Sequence, residues 1–194
     1  MSLLKPQEGL GVGTFQYARD AMCSVLSILG VNTESEHVKS TPARIVRMYD
    51  DFFAVGREEP KWTTFDSDAN DMVVVKNIHF YSLCSHHFLP FFGVAHIAYI
   101  PNGKIAGLSK LARTVKYFSH RPQVQEELTT QVADYLMEKL GTENVAVIMS
   151  CEHLCLSMRG AESPGHTTVT TALRGEFMDS DATRAELYSM LKVG

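Results

Sequence analysis

Cys84, His86, His87, His153 and Cys155 place sulfur and imidazole donors in two short segments about 70 residues apart. The first reads Leu83-Cys84-Ser85-His86-His87-Phe88-Leu89-Pro90 and the second Cys151-Glu152-His153-Leu154-Cys155, each with apolar residues around its polar groups. Soft donors between apolar walls suit a transition metal, zinc above all. Cys84 and His87 have the gap of a ligand pair on one tight turn, but spacing does not choose between His86 and His87. A catalytic zinc centre has three protein ligands and leaves one position for water, whereas a structural one is closed by four. Read as a strand, the second segment turns His153, Cys155, Ser157 and Arg159 to one face and Glu152, Leu154, Leu156 and Met158 to the other. Cys151 falls on the same loaded face. A closed site of Cys84, His87, Cys155 and either Cys151 or His153 therefore stays open beside the catalytic one.

The elements that must bring these segments together follow from periodicity. Apolar residues at Phe15, Ala18, Met22, Val25, Leu26 and Leu29 predict a helix over 14–29 that stops at Gly30. Ser40-Thr41-Pro42 reads as a cap with proline in the first turn, and Ile45, Met48, Tyr49 and Phe52 give the next helix its inward face. β-Branched and aromatic residues predict strands over 72–80 and 91–100, with Pro101-Asn102-Gly103 as a turn. Helices are expected over 109–118 and 122–140, the second ending at Gly141. Strands over 145–158 and 167–177 and a helix over 182–191 complete the chain. The fold class is α+β: an antiparallel four-stranded sheet with helices on one face, preceded by a helical N-terminal region. The division falls at 1–71 for that region and 72–194 for the catalytic domain.

With 194 residues, 45% of them hydrophobic and 21% charged, the chain has the composition of a soluble globular protein. The net charge of −4 speaks against non-specific nucleic-acid binding, and no apolar run reaches the roughly 20 residues that span a bilayer. Met1-Ser2-Leu3-Leu4-Lys5-Pro6 lacks the layout of a secretory signal. The four cysteines are accordingly expected in a reducing cytoplasm, as thiols or thiolates.

Several ordered stretches carry a resemblance. They are Thr41-Pro42-Ala43-Arg44-Ile45 with Met48-Tyr49, the segment from Cys84 to Gly93, and Ala98-Tyr99-Ile100-Pro101. Gly107-Leu108-Ser109-Lys110-Leu111-Ala112-Arg113, Arg121-Pro122-Gln123-Val124-Gln125-Glu126 and His153-Leu154-Cys155 leading to Arg159-Gly160 follow. Together they span about Gly11 to Leu191, and the chain resembles GTP cyclohydrolase I of the type that forms dihydroneopterin triphosphate. The resemblance implies the tunnelling fold, in which subunits join their sheets into a barrel, usually a decamer of two pentamers with active sites between subunits.

It further implies that Cys84, His87 and Cys155 hold zinc, leaving His86 and His153 for proton transfer. The implied substrate is GTP, attacked by water at C8 with loss of formate. Ser109, Lys110 and Arg113, in the first turn of a predicted helix, suit the triphosphate, because amide groups and the helix dipole favour anions there. Arg159 extends from the metal-bearing segment, and the family pattern places Arg44 and Arg47 at a neighbouring subunit's pocket. Glu126 is the implied reader of guanine N1 and its 2-amino group, assisted by Gln125. One departure stands out: Ser85 occupies the position where the family typically has Glu, which removes a negative charge beside the metal. Two other readings compete. A nitrile reductase of the same superfamily would use a cysteine nucleophile and a nicotinamide cofactor, and a nucleotide-binding oligomer with a structural zinc would bind guanine nucleotides without releasing formate.

Overall fold

The computed structural model describes residues 9–192. The reading of Met1 to Pro6 as lacking a signal lies outside the described residues. Helices α1 (Val12–Ile28) and α2 (Thr41–Arg57) form an antiparallel pair, with Pro42 in the first turn of α2 where its missing N–H costs nothing. Strand β1 (Thr64–Asp66) follows, then β2 (Val73–Cys84), β3 (Pro90–Tyr99) and β4 (Lys104–Ala106). Helix α3 (Leu108–Ser119), strand β5 (Pro122–Gln123) and helix α4 (Gln125–Leu140) lead to β6 (Val145–His153) and the short α5 (Leu154–Ser157). Strand β7 (Thr168–Leu173), α6 (Glu176–Asp179) and α7 (Asp181–Lys192) end the described chain.

The main sheet has the order β5-β2-β3-β6-β7, and β2, β3, β6 and β7 are the expected four antiparallel strands. Alternation sends Phe80, Phe91, Ile97, Val147 and Met149 to one face, where Leu111 and Val115 of α3 and Leu128, Val132 and Leu136 of α4 bury them. Helices are not confined to that face. Phe177 of α6 and Leu187 of α7 cover Ala98, Ala146 and Ile148 on the other. Strand β1 pairs with β4, so the chain before residue 72 is also tied to the region that follows it.

Four boundaries differ from the sequence reading by three residues or more, the first being the strand expected over 72–80, which runs on to Cys84. The helix expected from 122 starts at Gln125, because Pro122 and Gln123 lie extended beside Leu83 and Cys84, and the Gln123 carbonyl accepts from the Ser85 amide at 2.9 Å. The strand expected to reach 158 ends at His153, opposite Phe91. Pro90, the next residue of β3, has no N–H to extend the ladder, and the chain curls into α5, where the Met158 amide donates to the Leu154 carbonyl at 3.0 Å. Cys155, Ser157 and Arg159 consequently do not share a strand face with His153. The strand expected over 167–177 stops at Leu173, and Gly175, at φ 56°, starts α6, which holds Phe177. At the other predicted stop, Gly141 ends α4 with φ 64°, a conformation glycine adopts without a Cβ clash.

Candidate metal centre

Cys84 closes β2, and a tight loop returns the chain to β3. The Cys84 amide donates to the Leu89 carbonyl at 2.8 Å, and the Phe88 amide to the Cys84 carbonyl at 2.8 Å. Phe88 sits at φ 54°, an unfavourable region for a residue with a Cβ. Helix α2 braces it there. Tyr49 Oη donates to the Phe88 carbonyl at 3.3 Å, and the rings of Tyr49 and Phe53 meet Phe88 edge-on at 6.0 and 6.3 Å. On the other side the Ser85 amide is fixed by Gln123 of β5.

This loop and α5 bring Cys84, His87 and Cys155 together, with their ligand atoms all within 4.8 Å of one another. A tetrahedral zinc with bonds of about 2.0–2.3 Å needs ligand atoms about 3.3–3.8 Å apart, so two sulfurs and an imidazole within 4.8 Å reach that spacing with about 1 Å of inward movement. The His86 and His87 Nδ1 atoms are each 3.8 Å from Cys84 Sγ, but the set that includes Cys155 contains His87. Burial and the neighbouring Cys84 push the Cys155 thiol above its ordinary value, whereas Arg159 opposes them. A dication between the two sulfurs removes the cost of ionising both. Arg159 Nη1 stands 2.6 Å from His87 Nε2 at the rim.

His153 lies beside this set on the last residue of β6. Its imidazole stacks on Phe91 at 4.7 Å with 5° between the planes, and its Nε2 is 2.7 Å from Gln125 Oε1. Burial pushes its pKa below the ordinary imidazole value, and the nearby Glu126 carboxylate pushes the other way. Glu126 is exposed in the first turn of α4, and Gln125 is buried beneath His153. Cys151 is 1% exposed within the main core, and burial pushes its thiol up to about 12. Neither Cys151 nor His153 joins the group of Cys84, His87 and Cys155 among the described residues.

The residues expected to hold phosphate are more scattered. Ser109, Lys110 and Arg113 do occupy the start of α3, but Arg113 lines a separate groove with Lys116, His120, His79 and Tyr81 along β2. Arg44 and Arg47 are exposed on α2, where the Arg47 guanidinium lies 5.1 Å over the Phe15 ring. Sequence reasoning missed Phe91, Gln123 and Tyr49 as supports of the centre. Tyr49 carried a signal, as a residue on the inward face read for the second helix.

A Cys–His–Cys set at the end of an antiparallel sheet, with another imidazole held beside it, defines a candidate metal-assisted hydrolase. The chain belongs to the GTP cyclohydrolase I family, whose model matches residues 18–192. The sheet with α3 and α4 packed on one face is this family's tunnelling fold. GTP cyclohydrolase 1 of Pelotomaculum thermopropionicum is 48% identical over 172 residues, covering 87% of this chain and 92% of that protein. The Aquifex aeolicus protein of that name is 49% identical over 174 residues, covering 90% and 95%. That of Listeria monocytogenes is 46% identical over 181 residues, covering 91% and 96%.

Proposed function

We propose that this chain hydrolyses GTP at C8 in a zinc-dependent reaction, releasing formate and forming 7,8-dihydroneopterin triphosphate, the first step of tetrahydrofolate and pterin biosynthesis. The observation that carries this reading is the gathering of Cys84, His87 and Cys155 beside His153. Zinc, when bound by those three residues, supplies the Lewis acidity that brings the pKa of water down towards about 7. His86 and His153 hold and move the protons that ring opening and ring closure require, a task suited to imidazole near neutral pH. Glu126, exposed beside His153, accepts from guanine N1 and the 2-amino group, with Gln125 next to it in the chain. The triphosphate lies against Ser109, Lys110 and Arg113 near the start of α3, where the helix dipole and side-chain cations act together. Arg159 meets phosphate from the metal rim, and Arg44 and Arg47 do so from a neighbouring subunit.

The assembly proposed is a homo-oligomer, a decamer of two pentamers with sites between subunits. Two features support association. Strand β7 and most of β2 have an outer side with no partner strand among the described residues, and α1 buries none of its residues while exposing Tyr17, Val25 and Ile28. Residues 1–71 are proposed as a helical region serving that assembly and 72–194 as the catalytic domain. No described helix is long and apolar enough to cross a membrane, and the proposed compartment is the cytoplasm.

The test is incubation of the purified protein with GTP, before and after chelation and alongside Cys155→Ser, with formate and the pterin as readouts. Formation of both by the zinc-loaded protein, and their loss in the other two samples, is expected. GTP bound without formate release overturns the reading.

A further inference from the structure

Gln125 is 1% exposed, and its side chain ends in a hydrogen-bond chain whose direction can be worked out atom by atom. Backbone carbonyls only accept. Thr129 Oγ1 donates to the Gln125 carbonyl at 2.7 Å, which uses its one proton. The 2.6 Å contact between Thr129 and Thr170 must then take its proton from Thr170. Thr170 Oγ1, its proton spent, accepts from Gln125 Nε2 at 3.1 Å. The same amide nitrogen donates to the Thr168 carbonyl at 3.0 Å and reaches the Met149 carbonyl at 3.3 Å. Both amide hydrogens are therefore occupied, and the amide cannot be turned over without setting its oxygen against two carbonyls. Oε1 is left facing His153 Nε2 at 2.7 Å. A carbonyl oxygen has no proton to give, so His153 Nε2 must carry one.

We infer that Gln125 is a positioning residue that holds neutral His153 as the Nε2–H tautomer, making Nδ1 the atom through which this imidazole accepts a proton. No hydrogen bond to Nδ1 is present among the described residues, and the parallel Phe91 ring fixes the plane in which its lone pair lies. The inference deepens the proposed function, and its kinetic arm rests on that reading. It also removes Gln125 from base recognition, because a group whose two donors are held by Thr168, Met149 and Thr170 has none to offer guanine. Reading of the base falls to Glu126.

Zinc-loaded protein carrying nitrogen-labelled histidine, at about pH 8.5 and so above the unperturbed imidazole range, gives the tautomer by magic-angle-spinning NMR. The His153 signals are assigned by their loss in His153→Asn. A protonated Nε2 with a bare Nδ1 is expected. The reverse pattern, or protons on both nitrogens, overturns the inference. In Gln125→Met, kcat is expected to fall about 100-fold, the lower end of what a positioned acid–base group contributes, with KM for GTP within about threefold of the parent. A raised KM with kcat unchanged makes Gln125 a base reader and overturns the inference. Where Gln125→Met does not fold, the spectrum of the parent protein decides alone. Absence of formate release by the parent overturns the proposed reaction and leaves the tautomer measurement standing.

Discussion

Phe91 and His153 face each other as the last pair of the β3–β6 ladder, their rings 4.7 Å apart and 5° from parallel. Phe91 is fully buried, so the imidazole has a packed core on one side and the metal loop beyond its edge. The stack orients a side chain that hydrogen bonding alone would leave free to tilt. It also couples the catalytic end of the sheet to the core, since Phe91 meets Phe80 edge-on at 6.4 Å.

Phe91→Leu removes the stack while leaving an apolar group. Aromatic pairs contribute about 0.5–1.5 kcal/mol beyond their area, and the lost ring carbons add to this, so a stability loss of about 1–3 kcal/mol is expected. Urea unfolding should show a lower midpoint. Turnover of GTP should fall further than stability requires, because His153 loses its orientation, and an unchanged kcat would refute the stack's role.

Cys155→Ser should abolish stoichiometric zinc, and Cys151→Ala should retain it, although the two cysteines are only four positions apart. The reason is the turn at α5. Cys155 leaves the strand and faces Cys84 and His87, whereas Cys151 stays in the core. Atomic absorption on gel-filtered protein distinguishes them, and zinc retained by Cys155→Ser removes that ligand.

Much of this architecture could be read from the chain. The period-two strands and the Gly141 stop located the sheet and α4, and the paired Cys/His segments located the candidate metal centre. What was hidden shared one property: it depended on contacts between remote residues. Nothing local in Pro122-Gln123 announces a strand, since its extended form is held by Leu83, Cys84 and Ser85. Strand alternation carried Cys155 past His153 because the end of β6 is set by Pro90 on the neighbouring strand. The spacing ambiguity between His86 and His87 had the same origin, for only the position of Cys155 separates them. Gln125 was legible as a polar residue in a family motif, but its burial under His153 was not.

Gly93→Ala should damage the centre from a distance. A Cβ at this position would meet the Ser150 carbonyl oxygen at 2.0 Å and Cys151 Cα at 2.8 Å, both backbone atoms of the paired strand. Overpacking of this kind costs about 1–3 kcal/mol, and relief requires β3 and β6 to move away from each other close to the Phe91–His153 pair. A lower Tm together with weaker zinc retention is expected. Wild-type values for both would show that the strands separate freely.

Glu126→Gln keeps the size of the side chain and removes its charge. A hydrogen bond to a charged group contributes about 1.5–3 kcal/mol, so kcat/KM for GTP should fall roughly 10- to 150-fold. Most of the loss should appear in KM if the carboxylate reads the base. Discrimination against ITP, which lacks the 2-amino group, should weaken in parallel, and a variant that still rejects ITP as strongly as the parent would remove Glu126 from recognition.

Cys151 makes an alkaline prediction. Burial raises its pKa from an ordinary 9.0 to about 12, so the folded protein holds this proton over a range in which the unfolded chain releases it. A raised folded value means that the contribution is complete below 9.0 and is lost as pH rises towards about 12. Tyr135 acts in the same direction, raised by burial and by its bond to Glu59, so the wild-type curve alone does not isolate the thiol. The difference between wild type and Cys151→Ala does. Urea midpoints measured across this interval should fall more steeply for wild type, and parallel curves would show that the buried thiol does not govern the alkaline limit.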